Sequence, residues 1–321
     1  MAATERLMNR SRHWAQMGEH SFVAGIWILY WVHRLAGRRF FRGCMAPVLL
    51  LHWALRPQLR AVSMQYLQRL QAHTGVFAKP PGAWQSLRHV GLFAETMLDK
   101  LLAMAGKYPA EQVQSFGHEA LREAARRGQG GILITAHMGC LELCRALAAE
   151  LPDFRLNVLV HTAHAQDFNR VLQRLNPGGQ VQLIEVSEVD AAMAMLLSDK
   201  VSAGEFVAIA GDRVPVRQSK TVEVDFLGHA AHFPVGPYVL ASLLKCPLYS
   251  LSCLHEGQGY ALRFELLSEQ VILPRGRRDE ALKQYAAQYA DLLALALQRS
   301  PYDWFNFFPF WDQGHELPVQ S

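Results

Sequence analysis

Short apolar runs alternate with helical stretches after Gly128, and this alternation constrains the fold more than any other feature of the chain. Such runs predict strands, and the amphipathic stretches between them predict helices. The predicted strands are Gly131–Thr135, Leu156–His161, Val181–Val186, Phe206–Ile209, Val222–Phe226, Pro247–Leu254 and Tyr260–Leu267. The predicted helices are Gly139–Leu151, Ala165–Leu175, Val189–Val201, Gly236–Leu244 and Asp279–Gln298. This order of elements indicates an α/β fold.

The predicted fold class is α/β, with a mixed, largely parallel sheet flanked by helices. The last two strands follow one another without a helix between them, which predicts an antiparallel part of the sheet. Upstream, residues 61–107 predict helices interrupted near residues 79–82, and an amphipathic helix is predicted from about Ala110 to Arg127. We expect two parts: membrane-associating helices over residues 1–60 and an α/β domain over residues 61–321.

Positive charge is concentrated at the N-terminus. Residues 1–80 contain eleven Lys or Arg and two acids, although the net charge of the whole chain is only +4. Two apolar runs, Phe22–Val32 and Met45–Leu55, are both shorter than the ~20 residues that cross a bilayer. Arginines lie between them, interleaved with aromatic residues: Arg34, Arg38, Arg39, Arg42, Trp27, Tyr30, Trp31, Phe40, Phe41 and Trp53.

Aromatic residues beside clustered arginines are typical of helices in the headgroup region of an anionic bilayer. This pattern predicts a helix that lies in, or dips into, the cytoplasmic leaflet. The alternative is that the N-terminal helices simply pack on the α/β domain.

The chain has an odd number of cysteines, scattered through apolar segments: Cys44, Cys140, Cys144, Cys246 and Cys253. This predicts reduced thiols in a cytosolic catalytic domain rather than a disulfide framework. His137, Cys140 and Cys144 have a spacing compatible with a metal, but no second ligand pair with zinc spacing follows them. The sequence therefore predicts no metal and no cofactor.

Residues 131–142 (GILITAHMGCLE) are the stretch most informative about chemistry. An apolar strand delivers His137 to its carboxyl end, where ligands bind in open α/β sheets, and Gly139 permits a tight entry into the next helix. Glu142 is expected to accept a hydrogen bond from one imidazole nitrogen, which leaves the other free as a general base on an alcohol or amine. The spacing by itself also fits a helix-capping glutamate and a structural histidine.

His137, Gly139 and Glu142 resemble the first motif of the lysophospholipid acyltransferase superfamily, a histidine, four residues and an acid (HX4E here). The chain resembles more narrowly the late lipid A (lauroyl/myristoyl) acyltransferase branch, where the histidine is followed by an aromatic residue and Gly-Asn-Trp-Glu. Further blocks similar to that branch follow in order at residues 226–237 (FLGHAAHFPVGP), 239–249 (VLASLLKCPLY) and 301–308 (PYDWFNFF). A hydrophobic, basic N-terminal segment is also a trait of the family, so the resemblance covers nearly the whole chain.

The chain departs from the lipid A branch in two places. It has Gly211-Asp212-Arg213 where the branch usually has Asp-Gln-Asp, and residues 310–312 (FWD) where the branch usually has Arg-Trp-Lys. Both features look closer to a bacterial subgroup of predicted acyltransferases, some of which are associated with aryl polyene biosynthesis clusters. The resemblance implies acyl transfer and leaves the acceptor open.

The function that the resemblance implies is transfer of a fatty or polyene acyl group from a thioester to a hydroxyl or amine of a lipid. The donor is acyl carrier protein or coenzyme A, with the carrier protein favoured, and the location is the cytoplasmic face of the bacterial inner membrane. His137 and Glu142 are the predicted catalytic residues, and nucleic acid is not a predicted partner. The alternatives are a late lipid A acyltransferase proper, an acyl thioesterase and a non-catalytic membrane scaffold.

Six residues are predicted to contact substrate: Gly139, Arg170, Asp212, Arg213, Gly228 and Pro234. Arg170 resembles the arginine of the family's second motif, and arginine suits phosphate because its planar fork makes paired hydrogen bonds. Asp212 and Arg213 follow an apolar strand and are expected at its end, with a mutual ion pair as the alternative. Gly228 and Pro234 are expected to shape a loop that the acyl donor approaches closely. Trp304 and the phenylalanines around it are interpreted as core packing.

Overall fold

The computed structural model describes residues 31–144, 154–160, 181–185, 191–213 and 220–312. The chain divides into two compact units, Met1–Leu55 and Arg56–Ser321. In the first unit, residues 31–55 are helical and are labelled α1. No helix among the described residues is long and apolar enough to cross a membrane.

The second unit contains the helices α2 (Pro57–Thr74), α3 (Ala83–Met104), α4 (His118–Arg126), α5 (Ala191–Ser202), α6 (Gly236–Leu244) and α7 (Arg278–Arg299). Its strands are β1 (Val113–Phe116), β2 (Gly131–Thr135), β3 (Leu156–Val160), β4 (Val181–Glu185), β5 (Phe206–Ala210), β6 (Thr221–Phe226), β7 (His229–Pro234), β8 (Leu248–Glu256) and β9 (Gly259–Ser268). Short 3-10 turns occur at Ala110–Gln112, Arg275–Arg277 and Phe310–Asp312.

Seven strands form one mixed sheet in the order β1-β9-β8-β2-β5-β3-β4. The five strands from β8 to β4 are mutually parallel, β9 is antiparallel to β8, and β1 is parallel to β9. Strands β6 and β7 form a separate antiparallel hairpin. The predicted α/β class, the largely parallel sheet and the antiparallel late pair are confirmed.

The central strand β2 is buried at every position because the sheet is covered on both faces. Ile132 and Ile134 belong to a hydrophobic cluster with residues of α2, α6 and α7. Leu133, which points the other way, belongs to a second cluster with residues of α4. Burying each of these side chains contributes roughly 2 kcal/mol. The two clusters together hold β2, and hence the residues that follow it, at the centre of the unit.

Proline and glycine residues mark the boundaries of the two helices that precede the sheet. Helix α2 starts with Pro57 in its first turn, and it ends at Gly75, which has a φ of 65° and donates a backbone hydrogen bond to Gln71. Helix α3 starts after Gly82, whose N–H donates to the side-chain oxygen of Gln85. The predicted interruption at residues 79–82 is confirmed.

The predicted helix from about Ala110 to Arg127 is wrong over its first half, where a 3-10 turn and strand β1 form instead. The break falls at Gly117, whose φ is 75° and whose Cα lies so near the Phe264 carbonyl that an added Cβ would stand 2.1 Å from its oxygen. No L side chain fits there, so the helix begins only at His118. The partner of β1 is β9, which is remote in sequence.

Two further predicted elements differ from the structure. Of the predicted helix Gly139–Leu151, residues 139 and 140 are not helical and residues 141–144 have 3-10 conformation, while residues 145–151 lie outside the described residues. Strand β7 was not predicted; it pairs with β6 through a two-residue turn, Leu227-Gly228, in which both residues have positive φ. The predicted helix Ala165–Leu175 lies outside the described residues.

A buried histidine links α2, α3 and the C-terminal segment. His89 Nε2 is 2.7 Å from the Trp304 carbonyl oxygen, which can only accept, so Nε2 carries the proton and Nδ1 accepts from Ser63 Oγ at 3.0 Å. Burial lowers the pKa of His89 to about 4, against small raising effects from the Trp304 carbonyl and Asp303. His89 is therefore neutral in the folded protein at neutral pH.

We expect His89 to weaken the fold in acid. Its pKa is lower in the folded than in the unfolded chain, so protonation favours unfolding as pH falls from about 6.5 towards 4, by roughly 3 kcal/mol in total. His89→Gln keeps a donor for the Trp304 carbonyl but cannot be protonated. Denaturant unfolding measured across this pH range should show a smaller loss in the variant, and parallel curves would contradict the assignment.

Candidate active site

His137 and Asp212 meet because strands β2 and β5 are parallel neighbours. In their register Thr135 pairs with Ala210, and His137 and Asp212 each follow two residues later. The Gly211 N–H donates to the Thr135 carbonyl at 2.8 Å, which extends the ladder by one step. A Cβ on Gly211 would stand 2.5 Å from the side chain of Ile134, so a larger residue here would require Ile134 to move. Both side chains thus emerge at the carboxyl edge of the sheet.

The Asp212 carboxylate is buried and accepts three N–H donors. Oδ1 accepts from His137 Nδ1 at 2.8 Å, and Oδ2 accepts from the His137 backbone N–H at 2.9 Å and from Trp304 Nε1 at 3.0 Å. Burial would raise the pKa of this carboxyl, but the hydrogen bonds and charge of His137 and the Trp304 hydrogen bond outweigh it, and the pKa lies below its ordinary value. Asp212 is therefore ionised at neutral pH.

An ionised Asp212 fixes the tautomer of His137. A carboxylate only accepts hydrogen bonds, so His137 Nδ1 carries a proton, and in the neutral imidazole the lone pair is on Nε2. The side chain of His137 is 39% exposed whereas that of Asp212 is 2% exposed. The arrangement presents a basic nitrogen to an incoming molecule and hides the group that orients it.

The prediction that Glu142 would accept the hydrogen bond from His137 is wrong, because Asp212 occupies that place. After His137 the chain turns at Gly139, and the Cys140 N–H donates to the Cys253 carbonyl at 3.0 Å. This turn carries Glu142 to the end of α3, where Oε1 lies 3.2 Å from Lys100 Nζ. Glu142 Oε2 also accepts a weak hydrogen bond from Cys140 Sγ at 3.7 Å. A catalytic role for Glu142 stays a prediction.

Gly139 is held in a narrow gap between β8 and the C-terminal segment. Its φ is 55°, its N–H donates to the Asp303 carbonyl at 3.0 Å, and an added Cβ would stand 1.7 Å from the Cys253 carbonyl oxygen. The structure thus assigns Gly139 a backbone role in placing His137. Contact of Gly139 with substrate stays a prediction.

The other predicted substrate-binding residues are less closely tied to His137. Arg213 is exposed, and its guanidinium lies 5.4 Å from the centre of the Phe308 ring, so Asp212 and Arg213 have different partners rather than a mutual ion pair. Gly228 is a turn residue with no heavy atom within 4 Å of an added Cβ, and Pro234 ends β7 opposite Thr221. Arg170 lies outside the described residues.

The C-terminal segment Asp303–Phe305 belongs to the site, although its aromatic residues were interpreted as core packing. Besides the Trp304 indole on Asp212, the Phe305 N–H donates to the His137 carbonyl at 2.9 Å, and Trp304 forms an antiparallel bridge with Met138. The tryptophan is indeed fully buried, so the packing interpretation is also correct. An indole N–H needs a partner when it is buried, and this was the signal that could have indicated a polar role.

A second histidine–aspartate pair lies on the neighbouring strand and was not predicted. His255, near the end of β8, donates from Nδ1 to Asp303 Oδ1 and from its backbone N–H to Asp303 Oδ2, both at 2.6 Å. Asp303 is buried and accepts a further hydrogen bond from Ser300 Oγ at 2.7 Å. Nothing in the sequence spacing of residues 255 and 303 connects them, because they meet only through the packing of the last segment against β8.

A half-exposed histidine, held by a buried carboxylate at the carboxyl edge of a largely parallel sheet, is an arrangement that α/β enzymes use for general-base catalysis. Residues 84–313, which are 230 of the 321 residues, match the sequence model of the bacterial lipid A biosynthesis acyltransferase family. The chain belongs to this family and is an acyltransferase of lipid biosynthesis. The predicted superfamily is confirmed, and the predicted subgroup stays a prediction. No curated protein sequence matches the chain significantly.

We expect Gly139→Ala to abolish most of the acyl-transfer activity, because the added methyl group would force the His137 loop away from Cys253. A loss of at least 100-fold in kcat is expected, since a displacement of about 1 Å in a catalytic group can cost this much. Gly257→Ala is the matched control: its φ is 59°, but an added Cβ meets no heavy atom within 4 Å. Equal activity of the two folded variants would contradict the role given to Gly139.

Proposed function

We propose that this enzyme transfers an acyl group from an acyl thioester to a hydroxyl or amine of a lipid acceptor, with His137 as general base. One observation carries the proposal. The half-exposed imidazole of His137 donates its Nδ1–H to the buried Asp212, which leaves Nε2 as the nitrogen that can accept a proton from an acceptor molecule. An alcohol is a poor nucleophile at neutral pH without such a base.

The reaction needs no acyl-enzyme. His137 Nε2 takes the proton of the acceptor as its oxygen or nitrogen bonds to the thioester carbonyl carbon. The tetrahedral intermediate then collapses, the carbon–sulfur bond breaks, and the imidazolium returns the proton to the departing thiolate. Base catalysis of this kind contributes about 10²–10⁴-fold in rate.

Asp212 supports this cycle electrostatically. When His137 gains a proton, the positive ring faces a buried carboxylate 2.8 Å away, and a low-dielectric surrounding strengthens that attraction. The Trp304 indole and the His137 backbone N–H keep the carboxylate in place during the charge change. Asp212 thus takes the orienting role that was predicted for Glu142.

For Glu142 we propose a supporting role, based on its contacts. Its carboxylate pairs with Lys100 of α3, and both side chains are about a quarter exposed. This pair ties the turn after His137 to α3. Exposed ion pairs are worth little, up to about 1 kcal/mol, so the loss of this one should have a small effect.

Site-directed variants separate these roles. We expect His137→Ala and Asp212→Asn each to lower kcat by about 10³–10⁴-fold, since an asparagine amide would donate to Nδ1 and shift the ring proton to Nε2. Glu142→Gln should lower kcat less than 10-fold. The measurement is transfer of radiolabelled acyl chains to a lipid extract, with folding checked by circular dichroism. A folded His137→Ala protein with near-normal transfer would refute the mechanism. A loss of kcat in folded Glu142→Gln as large as that in His137→Ala would indicate that Glu142 is a catalytic residue.

The same assay compares the possible donors and acceptors. The sequence resemblance favours acyl carrier protein over coenzyme A, so we expect a higher kcat/KM with acyl carrier protein. Incubation with donor alone distinguishes a thioesterase, which would release free acid at the transfer rate. Adding a lipid A precursor tests the late lipid A alternative.

We also propose that α1 associates with the cytoplasmic face of the bacterial inner membrane. Its exposed side chains include large apolar residues, namely Trp31, Leu35, Phe40, Val48, Leu50, Leu51 and Leu55. Arg34, Arg39 and Arg42 are exposed on the same helix, and the Arg34 guanidinium lies 5.6 Å from the Trp31 ring centre. Apolar and basic side chains together favour an anionic lipid surface.

Vesicle flotation tests the membrane proposal. We expect the protein to float with vesicles rich in phosphatidylglycerol and much less with pure phosphatidylcholine, because each basic residue near an anionic surface contributes about 1 kcal/mol. Leu51→Glu should weaken flotation. Leu243→Glu, on α6 in the other unit, is the matched control, because the two leucines are equally exposed at 60% and 59%. Equal flotation of both variants would contradict a role for α1.

A further inference from the structure

The His255–Asp303 pair repeats the contact pattern of the His137–Asp212 pair. In each pair one carboxylate accepts both the imidazole Nδ1–H and the backbone N–H of the same histidine. His137 follows β2 and His255 lies in β8, and these two strands are adjacent in the sheet. The mechanism proposed above uses only the first pair, so the second requires its own explanation.

The second pair is closed to substrate. His255 Nε2 is buried and lies 3.8 Å from the buried carboxylate of Asp99 on α3. The ring of Tyr260 packs against the imidazole with centres 4.1 Å apart, and its hydroxyl donates to Asp99 at 3.0 Å. With Nδ1 bonded to Asp303 and Nε2 buried, neither ring nitrogen of His255 can serve as a base for an incoming molecule.

The second pair is instead joined to the first through three consecutive residues. The Asp303 carbonyl accepts from Gly139, the Trp304 indole donates to Asp212, and the Phe305 N–H donates to the His137 carbonyl. Each of these contacts is made with the backbone of His137 or Gly139, or with the carboxylate of Asp212. The position of Asp303 therefore sets the position of the segment that holds the active pair.

We infer that His255 and Asp303 are positioning residues that hold the His137–Asp212 pair in register through the segment Asp303–Phe305. The inference rests on the proposed function of His137. The two hydrogen bonds from His255 fix the position and the rotation of the Asp303 carboxylate. Trp304 and Phe305, which follow directly, are thereby oriented towards Asp212 and His137. A loosened Asp303 would let Trp304 and Phe305 drift from Asp212 and His137.

The charges around His255 support this role. The ionisable groups that face it are Asp303 from the C-terminal segment, Asp99 from α3 and Tyr260 from β9. Burial lowers the pKa of His255, but the hydrogen bond to Asp303 and the nearby carboxylates of Asp303 and Asp99 outweigh it and raise the pKa to about 9. His255 is thus positively charged at neutral pH and lies between two buried acids. Removing that charge would leave Asp303 uncompensated.

The test compares His255→Leu with His255→Asn in the full-length protein. Both substitutions remove the positive charge, and leucine also removes the hydrogen-bond donor to Asp303. We expect kcat of His255→Leu to fall by about 30-fold, with the KM for the acyl donor within twofold. Asparagine can still donate to Asp303, so its kcat should stay within about fivefold of the wild type, and the difference between the two variants reports the hydrogen bond. His118→Asn is the matched control, a histidine 3.7 Å from Glu119 and outside both pairs, and should retain full activity.

A spectroscopic signal makes the test independent of turnover. The downfield proton NMR resonance of His137 Nδ1–H, identified by its loss in His137→Ala, reports the bond to Asp212. We expect this resonance to lie further upfield in His255→Leu than in the wild type, and to stay near its wild-type position in His255→Asn. If His137→Ala proves active, the proposed function fails, yet the resonance still decides whether His255 positions His137.

A double-mutant cycle with Trp304→Phe completes the test. If His255 acts through the Trp304–Asp212 contact, the two substitutions should lower kcat less together than the product of their separate effects. Where His255→Leu does not fold, Ser300→Ala replaces it, since it removes one donor to Asp303 and no charge. An unchanged resonance in folded His255→Leu or Ser300→Ala, or purely additive effects in the cycle, would overturn the inference.

Discussion

The Asp212 carboxylate is the group on which the rest of the site depends. A buried carboxylate is costly unless its oxygens are hydrogen-bonded, and here two donors come from His137 and one from Trp304. These donors belong to parts of the chain that are 75 and 92 residues from Asp212. The hydrogen bonds that the charge of Asp212 requires thus join the ends of β2 and β5 to the C-terminal segment. The same hydrogen bonds fix the orientation of the His137 ring.

The C-terminal segment acts as a structural part of the active site. Trp304 is fully buried against Tyr66, Phe226 and Phe310, with ring centres 4.9 to 5.5 Å apart. Its carbonyl is held by His89 and its indole holds Asp212. Trp304 therefore belongs both to the aromatic core and to the contacts of the His137–Asp212 pair, so substitutions that loosen the core should also disturb that pair. This sharing explains how helices α2 and α3 contribute to a site whose ionisable residues follow β2 and β5.

Patterns in the sequence predicted most of the elements. The limits of β2 and α6 were predicted to the residue. β2 is an uninterrupted apolar run because it is buried on both faces, and α6 is an apolar stretch that begins at Gly236 and is followed by Lys245. Strand β1 and strand β7 were missed for a common reason. Both are short or half-exposed, and each is stabilised by a partner strand rather than by its own composition.

His137 was identified from the sequence, by its place after an apolar run and by a family motif. The carboxylate that orients it was not, because Glu142 lies near His137 in sequence whereas Asp212 lies near it in the sheet. Local spacing determines which residues end a strand; strand order determines which of those ends are neighbours. β2 and β5 are adjacent although β3 and β4 intervene along the chain, and only the tertiary structure decides that. The sequence by itself determined the fold class and singled out His137, and the pairing of strands decided which carboxylate His137 contacts.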